Sequence, residues 1–162
     1  MRVRRAVEND VEELAQLMVA LHSEMMSFEP LKTMRKDALD YARLKMRRFV
    51  SDKERVVFVA EEKRWEKEKK GGIIGYVSGK IERRERIFGA CEYGYVADLY
   101  VVPVLRKKGI AVLLMGAIEQ FFIEKKMRYV DLQVLSGNAD ALRFYEKQGW
   151  SEYRKNLRKV LG

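Results

Sequence analysis

Apolar side chains return every three or four residues between Asp10 and Ser27: Val11, Leu14, Leu17, Met18, Leu21 and Met25. That is the period of an α-helix with one buried face, and Asn9 or Asp10 stands where its first free N–H groups need a cap. Pro30 interrupts the chain, and a second helix is expected over residues 33–50, with Asp37 and Asp40 on one side and a row of Lys and Arg on the other. The period then changes. Residues 55–60 are β-branched and strand-like, and strands are expected again over 72–82 and 91–102, adjacent and so antiparallel, with Pro103 ending the last. Helical spacing resumes with Ile110, Leu113, Leu114, Ala117, Ile118, Phe121 and Phe122, a broad buried stripe. A strand over 129–135, a short helix over 138–147 ended by Gly149, and a last strand over 150–157 complete the pattern. With a short first strand at 2–6, the order predicts one α/β (α+β) domain over residues 1–162: a layered sandwich around a mixed sheet.

Composition narrows this picture. Hydrophobic residues make up 48% and charged residues 35%, the balance of a chain with a real core. The one cysteine, Cys91, cannot form an internal disulfide and reads as a small strand hydrophobe. No His/Cys/carboxylate cluster supports a metal site, so none is expected. The N-terminus lacks an apolar export segment, and no apolar run approaches the roughly 20 residues that span a bilayer; a cytoplasmic protein without membrane contact is expected. The net charge of +9, from 33 Lys+Arg against 24 Asp+Glu, attracts polyanions. Nucleic acid is one such partner and a multiply phosphorylated coenzyme is another. The mixed-sign run over 61–70 reads as a solvated loop.

The chemistry concentrates where the 91–102 strand gives way to a helix. Arg106, Lys107, Lys108, Gly109, Ile110, Ala111 and Val112 place cations and small residues where a helix begins. The first N–H groups of a helix lack internal partners and carry the positive end of its dipole, which suits a diphosphate. Other phosphate motifs fit worse. The stretch from Gly75 to Gly79-Lys80 is one residue short of a P-loop, and no G-x-G-x-x-G occurs.

Two segments read together make a specific resemblance. Asp98-Leu99-Tyr100-Val101-Val102-Pro103 followed by Arg106-x-x-Gly109-x-Ala111 resembles motif A of the GNAT acetyltransferase superfamily. Asn138-Ala139-Asp140-Ala141-Leu142-Arg143-Phe144-Tyr145-Glu146-Lys147-Gln148-Gly149-Trp150 resembles its motif B, and Arg5-Ala6-x-x-x-Asp10-x-x-x-Leu14 its N-terminus. The resemblance implies an α/β/α fold with a mixed, mostly antiparallel sheet of six or seven strands, acetyl-CoA as cosubstrate, and N-acetylation of a primary amine. It implies that Leu99, Tyr100 and Val101 offer backbone groups to the pantetheine arm and that residues 106–112 hold the pyrophosphate. Asn138 would bind the arm or orient the site. Tyr145 would protonate the departing thiolate, and Phe28 and Glu29 would line the acceptor site, with Glu24 as a further carboxylate there. Homodimers are frequent among such proteins.

An amine of pKa near 10.4 must lose a proton before it attacks. Asp98 and Glu92 are candidate bases. Some relatives carry a glutamate five residues before the motif-B asparagine; here that position is Gln133, which cannot take a proton. His22, the only histidine, reads as a partly buried helix residue. Two rival readings remain at this point: a basic RNA- or ribosome-binding module, and a catalytically silent CoA-binding regulator.

Overall fold

The computed structural model describes residues 1–62, 72–85, 87, 89 and 92–161. Strand β1 (Arg2–Arg5) leads to helices α1 (Val11–Met25) and α2 (Ala38–Ser51), then strands β2 (Arg55–Glu62), β3 (Gly72–Arg83) and β4 (Glu92–Val101). Helix α3 (Ile110–Glu124), strand β5 (Val130–Asp131) and helix α4 (Ala139–Lys147) follow. The strands form a five-stranded sheet in chain order, antiparallel from β1 to β4 and parallel between β4 and β5. The expected mixed, mostly antiparallel sandwich is present. The solvated loop expected over 61–70 falls mostly outside the described residues, as does Cys91.

Alternation along the strands divides the interior into two cores. Val57 and Val59 of β2 face α1 and α2, where they meet Leu14, Met46 and Phe49. Val56 and Ala60 face α3, against Leu114, Ile118 and Phe122. Helix α3 rides very close to the sheet: a Cβ on Gly94 would lie 2.7 Å from the Phe122 ring. A glycine is what lets helix and strand approach there.

A bulge in β4 decides which side chains reach which core. Ser78 pairs with Asp98, but Gly79 pairs with Val96, so Ala97 is the extra residue. Such a bulge reverses the facing of everything beyond it. Val96 packs toward α3, while two residues on, Asp98 lies opposite Ser78 and Tyr100 opposite Tyr76 on the α1/α2 side.

Several expectations are corrected. Five strands form among the described residues, not six or seven. The strand expected over 129–135 shrinks to Val130–Asp131. Residues 151–161 form no strand and are exposed throughout; a two-residue edge offers almost no ladder for a further strand to join. Helix α2 starts at Ala38, five positions later than expected, after Asp37 has been drawn into a salt bridge with Arg35. Asp10 does not cap α1: its carboxylate accepts from the Val7 N–H at 2.8 Å and from Arg4 at 2.7 and 2.9 Å.

Candidate active site

The connection from β4 to α3 is short and conformationally costly. A single 3-10 turn, Pro103–Leu105, tucks Leu105 into the α3 core. Lys107 and Gly109 then take left-handed backbone angles, φ 62° and 80°. For a lysine that conformation costs about 1–2 kcal/mol, and strain of this kind gathers at functional sites. Among the described residues, no acceptor bonds the N–H groups of residues 107–112. Gly109 is the N-cap of α3 and supplies no side-chain cap; a Cβ there would meet nothing within 4 Å. Unpaired donors, open space, the helix dipole and the exposed Lys107 and Lys108 make an anion cradle.

Beside the cradle lies an open sheet edge. β5 pairs with β4 only at Gly94↔Val130 and Tyr95↔Asp131, yet β4 runs on to Val101. The Val102 N–H donates to the Ile74 carbonyl at 3.0 Å, so its backbone faces β3. Because alternate residues of a strand face opposite edges, the backbone groups of Leu99 and Val101 face the unpaired edge. Those of Tyr100 face β3. The structure therefore brings Leu99, Val101 and residues 107–112 together along one groove.

Tyr100 and Arg106 are placed elsewhere. The Arg106 guanidinium donates to the Val101 carbonyl at 2.9 Å and to both Glu24 oxygens at 2.9 and 2.6 Å, lying 5.5 Å over the Tyr100 ring. The Tyr100 hydroxyl donates to the same Glu24 at 3.1 Å. Arg106 thus ties the turn to the end of α1. No sequence signal distinguished this use of the arginine from a phosphate contact, although Glu24 stood out as a carboxylate near the acceptor side.

Asp98 is buried on the α1/α2 side. Its Oδ2 accepts from the Ser78 hydroxyl at 2.8 Å and from Lys45 Nζ at 3.1 Å; among the described residues its Oδ1 accepts nothing. Ser78 and Lys45 were missed in the sequence, where a lone polar residue inside an apolar strand was the available signal. Glu92 is exposed and bonded to Arg83 at 3.1 Å. It lies at the opposite end of β4, roughly 30 Å from Val101 at the rise of an extended chain. Gln133 is exposed beyond β5. The His22 Nδ1 contacts the Met18 carbonyl at 2.9 Å within α1.

Helix α4 supplies the remaining candidates. Asn138 caps it, accepting from the Ala141 N–H at 3.1 Å and leaving its amide NH2 unused. Tyr145 packs edge-on against Phe144 and Trp150, with ring centroids 5.1 and 5.9 Å away, on the margin of the α3 core. Its hydroxyl has no hydrogen-bond partner among the described residues, and burial pushes its pKa up to about 12. Phe28, 42% exposed, stands 3.6 Å from where a Cβ on Gly137 would be, so the α1–α2 connection abuts the start of α4. Glu29 is buried and already paired, with Lys32 at 3.0 Å and with Arg158.

A separate cleft of about 570 Å³ opens between the first residues of β5 and the end of α4. Its cation, Arg84, is held by the Tyr129 hydroxyl at 2.7 Å, the Tyr153 hydroxyl at 3.2 Å and Asp131 at 3.3 Å. Its lining contains neither the strained turn nor the free backbone donors. It anchors the start of the C-terminal segment. Among the described residues no metal-binding cluster occurs and no helix is long and apolar enough to cross a membrane.

Comparison with known proteins places this geometry. Over 91 residues the chain is 34% identical to the N-terminal acetyltransferase B complex catalytic subunit of Arabidopsis thaliana, covering 56% of this chain and 50% of that protein. The chain spans about half the length of the curated relatives it matches. A Bacillus halodurans protein, solved as a mutant, superposes with a TM-score of 0.84 at 20% identity over 99% of each chain. An aminoglycoside 6'-N-acetyltransferase of Acinetobacter haemolyticus does so with a TM-score of 0.73 at 15% identity, over 100% of this chain and 99% of that one. At such identities these likenesses establish the fold. The model of the acetyltransferase (GNAT) family matches residues 17–150, a span that takes in turn, open edge and α4 together, and the chain belongs to that family.

Proposed function

We propose that this protein transfers the acetyl group of acetyl-CoA to a primary amine. The observation that carries the reading is the strained turn: unpaired N–H groups at residues 107–112, beside the unpaired edge of β4. The residues present fit the coenzyme, since a diphosphate supplies the acceptors those donors lack and an amide-bearing arm supplies an edge strand's partners.

When bound, acetyl-CoA brings an activated acetyl thioester to the groove. Residues 107–112 bind its diphosphate, with Lys107 and Lys108 adding charge. Leu99 would hold the arm through its backbone groups, since the Val101 carbonyl already accepts from Arg106. The Val101 N–H, on the unpaired edge, would be available to a thioester oxygen that gains negative charge as the amine attacks, and a preorganised donor there would lower the barrier directly. Asp98 Oδ1 is the proton acceptor this reading assigns to the incoming amine. Tyr145 hydrogen-bonds the departing sulfur. Burial holds its pKa up at about 12, so it stays protonated at neutral pH and would act mainly as a hydrogen-bond donor held in place. No covalent enzyme intermediate is required.

The test is thermal unfolding with and without acetyl-CoA, followed by thiol release over a panel of amines. At a hundredfold excess over Kd, binding stabilises by about 2.7 kcal/mol, a shift of several degrees. No shift would sink the reading. A shift without turnover on any amine would replace it with a silent coenzyme-binding regulator.

A further inference from the structure

Resting on the reading of the α1–α2 connection as the acceptor wall, we propose that Glu29 recognises a second positive charge on the acceptor, and that Arg158 occupies that position in the free protein as an internal stand-in. The favoured acceptors are therefore amines with at least one further cation, such as polyamines.

Glu29, Asp98 and Asp10 are the acidic side chains buried among the described residues. Asp10 and Asp98 are held by residues within the folded layers, Arg4 and Lys45. Glu29 differs: it is 4% exposed, yet both its partners come from exposed chain, Lys32 from its own loop and Arg158 from the C-terminal segment. That segment has no secondary structure from residue 151 onward. Its attachments beyond its own neighbours are the Tyr153 hydroxyl on Arg84 and the Arg158 guanidinium on Glu29. Leu157, Val160 and Leu161 around the second attachment are 94%, 68% and 82% exposed, so little apolar packing holds Arg158 in place. One charge-assisted contact fastens a strap that is otherwise solvated.

The attachment point lies at the acceptor wall. Phe28, the neighbour of Glu29, abuts Gly137, and Asn138 next to it begins α4, which carries Tyr145. Arg158 and then Lys32 hold the Glu29 carboxyl below the usual carboxylate range. Exchanging Arg158 for an ammonium group conserves charge at Glu29.

The test compares spermidine with butylamine, which has no second cation, by thiol release from acetyl-CoA. Arg158→Ala is expected to lower the half-saturating spermidine concentration at least fivefold and to leave butylamine unchanged; Arg158→Lys should return it toward wild type. Adding Glu29→Gln to Arg158→Ala should erase the gain. If neither amine turns over, spermidine-dependent thermal stabilisation of the coenzyme-bound protein is read in the same variants, with the same pattern expected. An unchanged response in Arg158→Ala, or a gain that survives Glu29→Gln, overturns the proposal. Acetyl-CoA stabilisation measured alongside separates the cases: if it is missing in every form including wild type, the coenzyme reading is what has failed.

Discussion

The two sides of β4 are built on opposite terms. At the end of β4 beside α3 the backbone is left unfinished: among the described residues Leu99 and Val101 face an edge with no partner strand, and the N–H groups of residues 107–112 donate to no protein acceptor. On the side of α1 and α2 the charges are already matched, Glu24 with Arg106, Asp98 with Lys45 and Glu29 with Arg158. A coenzyme site can be preformed because one ligand always fills it, and unfilled backbone donors facing solvent cost little. An acceptor site lined by free carboxylates would attract every passing cation; paired ones admit only a ligand that outcompetes the resident partner. The contrast predicts that damage to the turn and the open edge abolishes coenzyme binding, while damage to the paired carboxylates spares it and alters turnover.

The largest effect is expected from Gly109→Val. A β-branched residue is a genuine outlier at φ 80°, so the turn must rearrange and its N–H groups move with it. Acetyl-CoA stabilisation in thermal unfolding should disappear, with activity reduced by at least about a hundredfold, as for loss of preorganised donors. The cost to the fold itself should be about 1–3 kcal/mol, read from denaturant midpoints. Retained coenzyme binding in this variant would show that the turn is not the cradle.

Tyr145→Phe comes next. It should lower kcat by about a hundredfold, the lower end for a positioned proton donor, without changing the KM for acetyl-CoA. The sign of the pH dependence follows from burial. The hydroxyl is raised to about 12, so wild-type kcat should show no fall from tyrosine ionisation below about pH 10, the ordinary value. Stability linked to this tyrosine is complete below the unfolded value and fades as pH climbs through the folded one. An alkaline decline in kcat near pH 9 that vanishes in Tyr145→Phe would mean the hydroxyl is far less shielded than its packing against Phe144 and Trp150 requires.

The sequence disclosed backbone features better than side-chain partners, for physical reasons. Helical period and β-branched runs located α1, β2, β3, β4 and α3 closely, since each buries a face that must recur at the element's own spacing. The turn and Gly109 were legible because a left-handed cap and a close diphosphate approach both call for glycine. The bulge at Ala97 was hidden: period-2 alternation in Val96-Ala97-Asp98 gives no sign that one residue is skipped. That single skip sends Asp98 to Lys45 and Ser78. Arg106 was unreadable in a different way, since an arginine in a cationic turn suits a phosphate and a distant carboxylate equally, and only the fold brings Glu24 within reach. The final strand failed because the edge it needed is two residues long.

The smallest effects sharpen the assignment of the base, where two carboxylates of one strand can be set against each other. Asp98→Asn keeps the size of the side chain and its bond from Ser78 but removes the proton acceptor and the charge opposite Lys45. It should leave acetyl-CoA stabilisation intact and lower kcat/KM for the amine by about tenfold to a hundredfold, with the deficit shrinking as pH rises and more amine arrives deprotonated. Loss of the partner of Lys45 lowers the unfolding temperature in either case, so the discriminating result is the pH profile: a merely structural aspartate would give a pH-independent deficit. Glu92→Gln, at the far end of β4 with only an exposed bond to Arg83, should change activity less than about twofold and stability by at most about 1 kcal/mol. If the two variants exchanged behaviours, the amine would have to be activated at the wrong end of the strand, out of reach of the Val101 N–H, and the groove beside β4 could not be where the acetyl group changes hands.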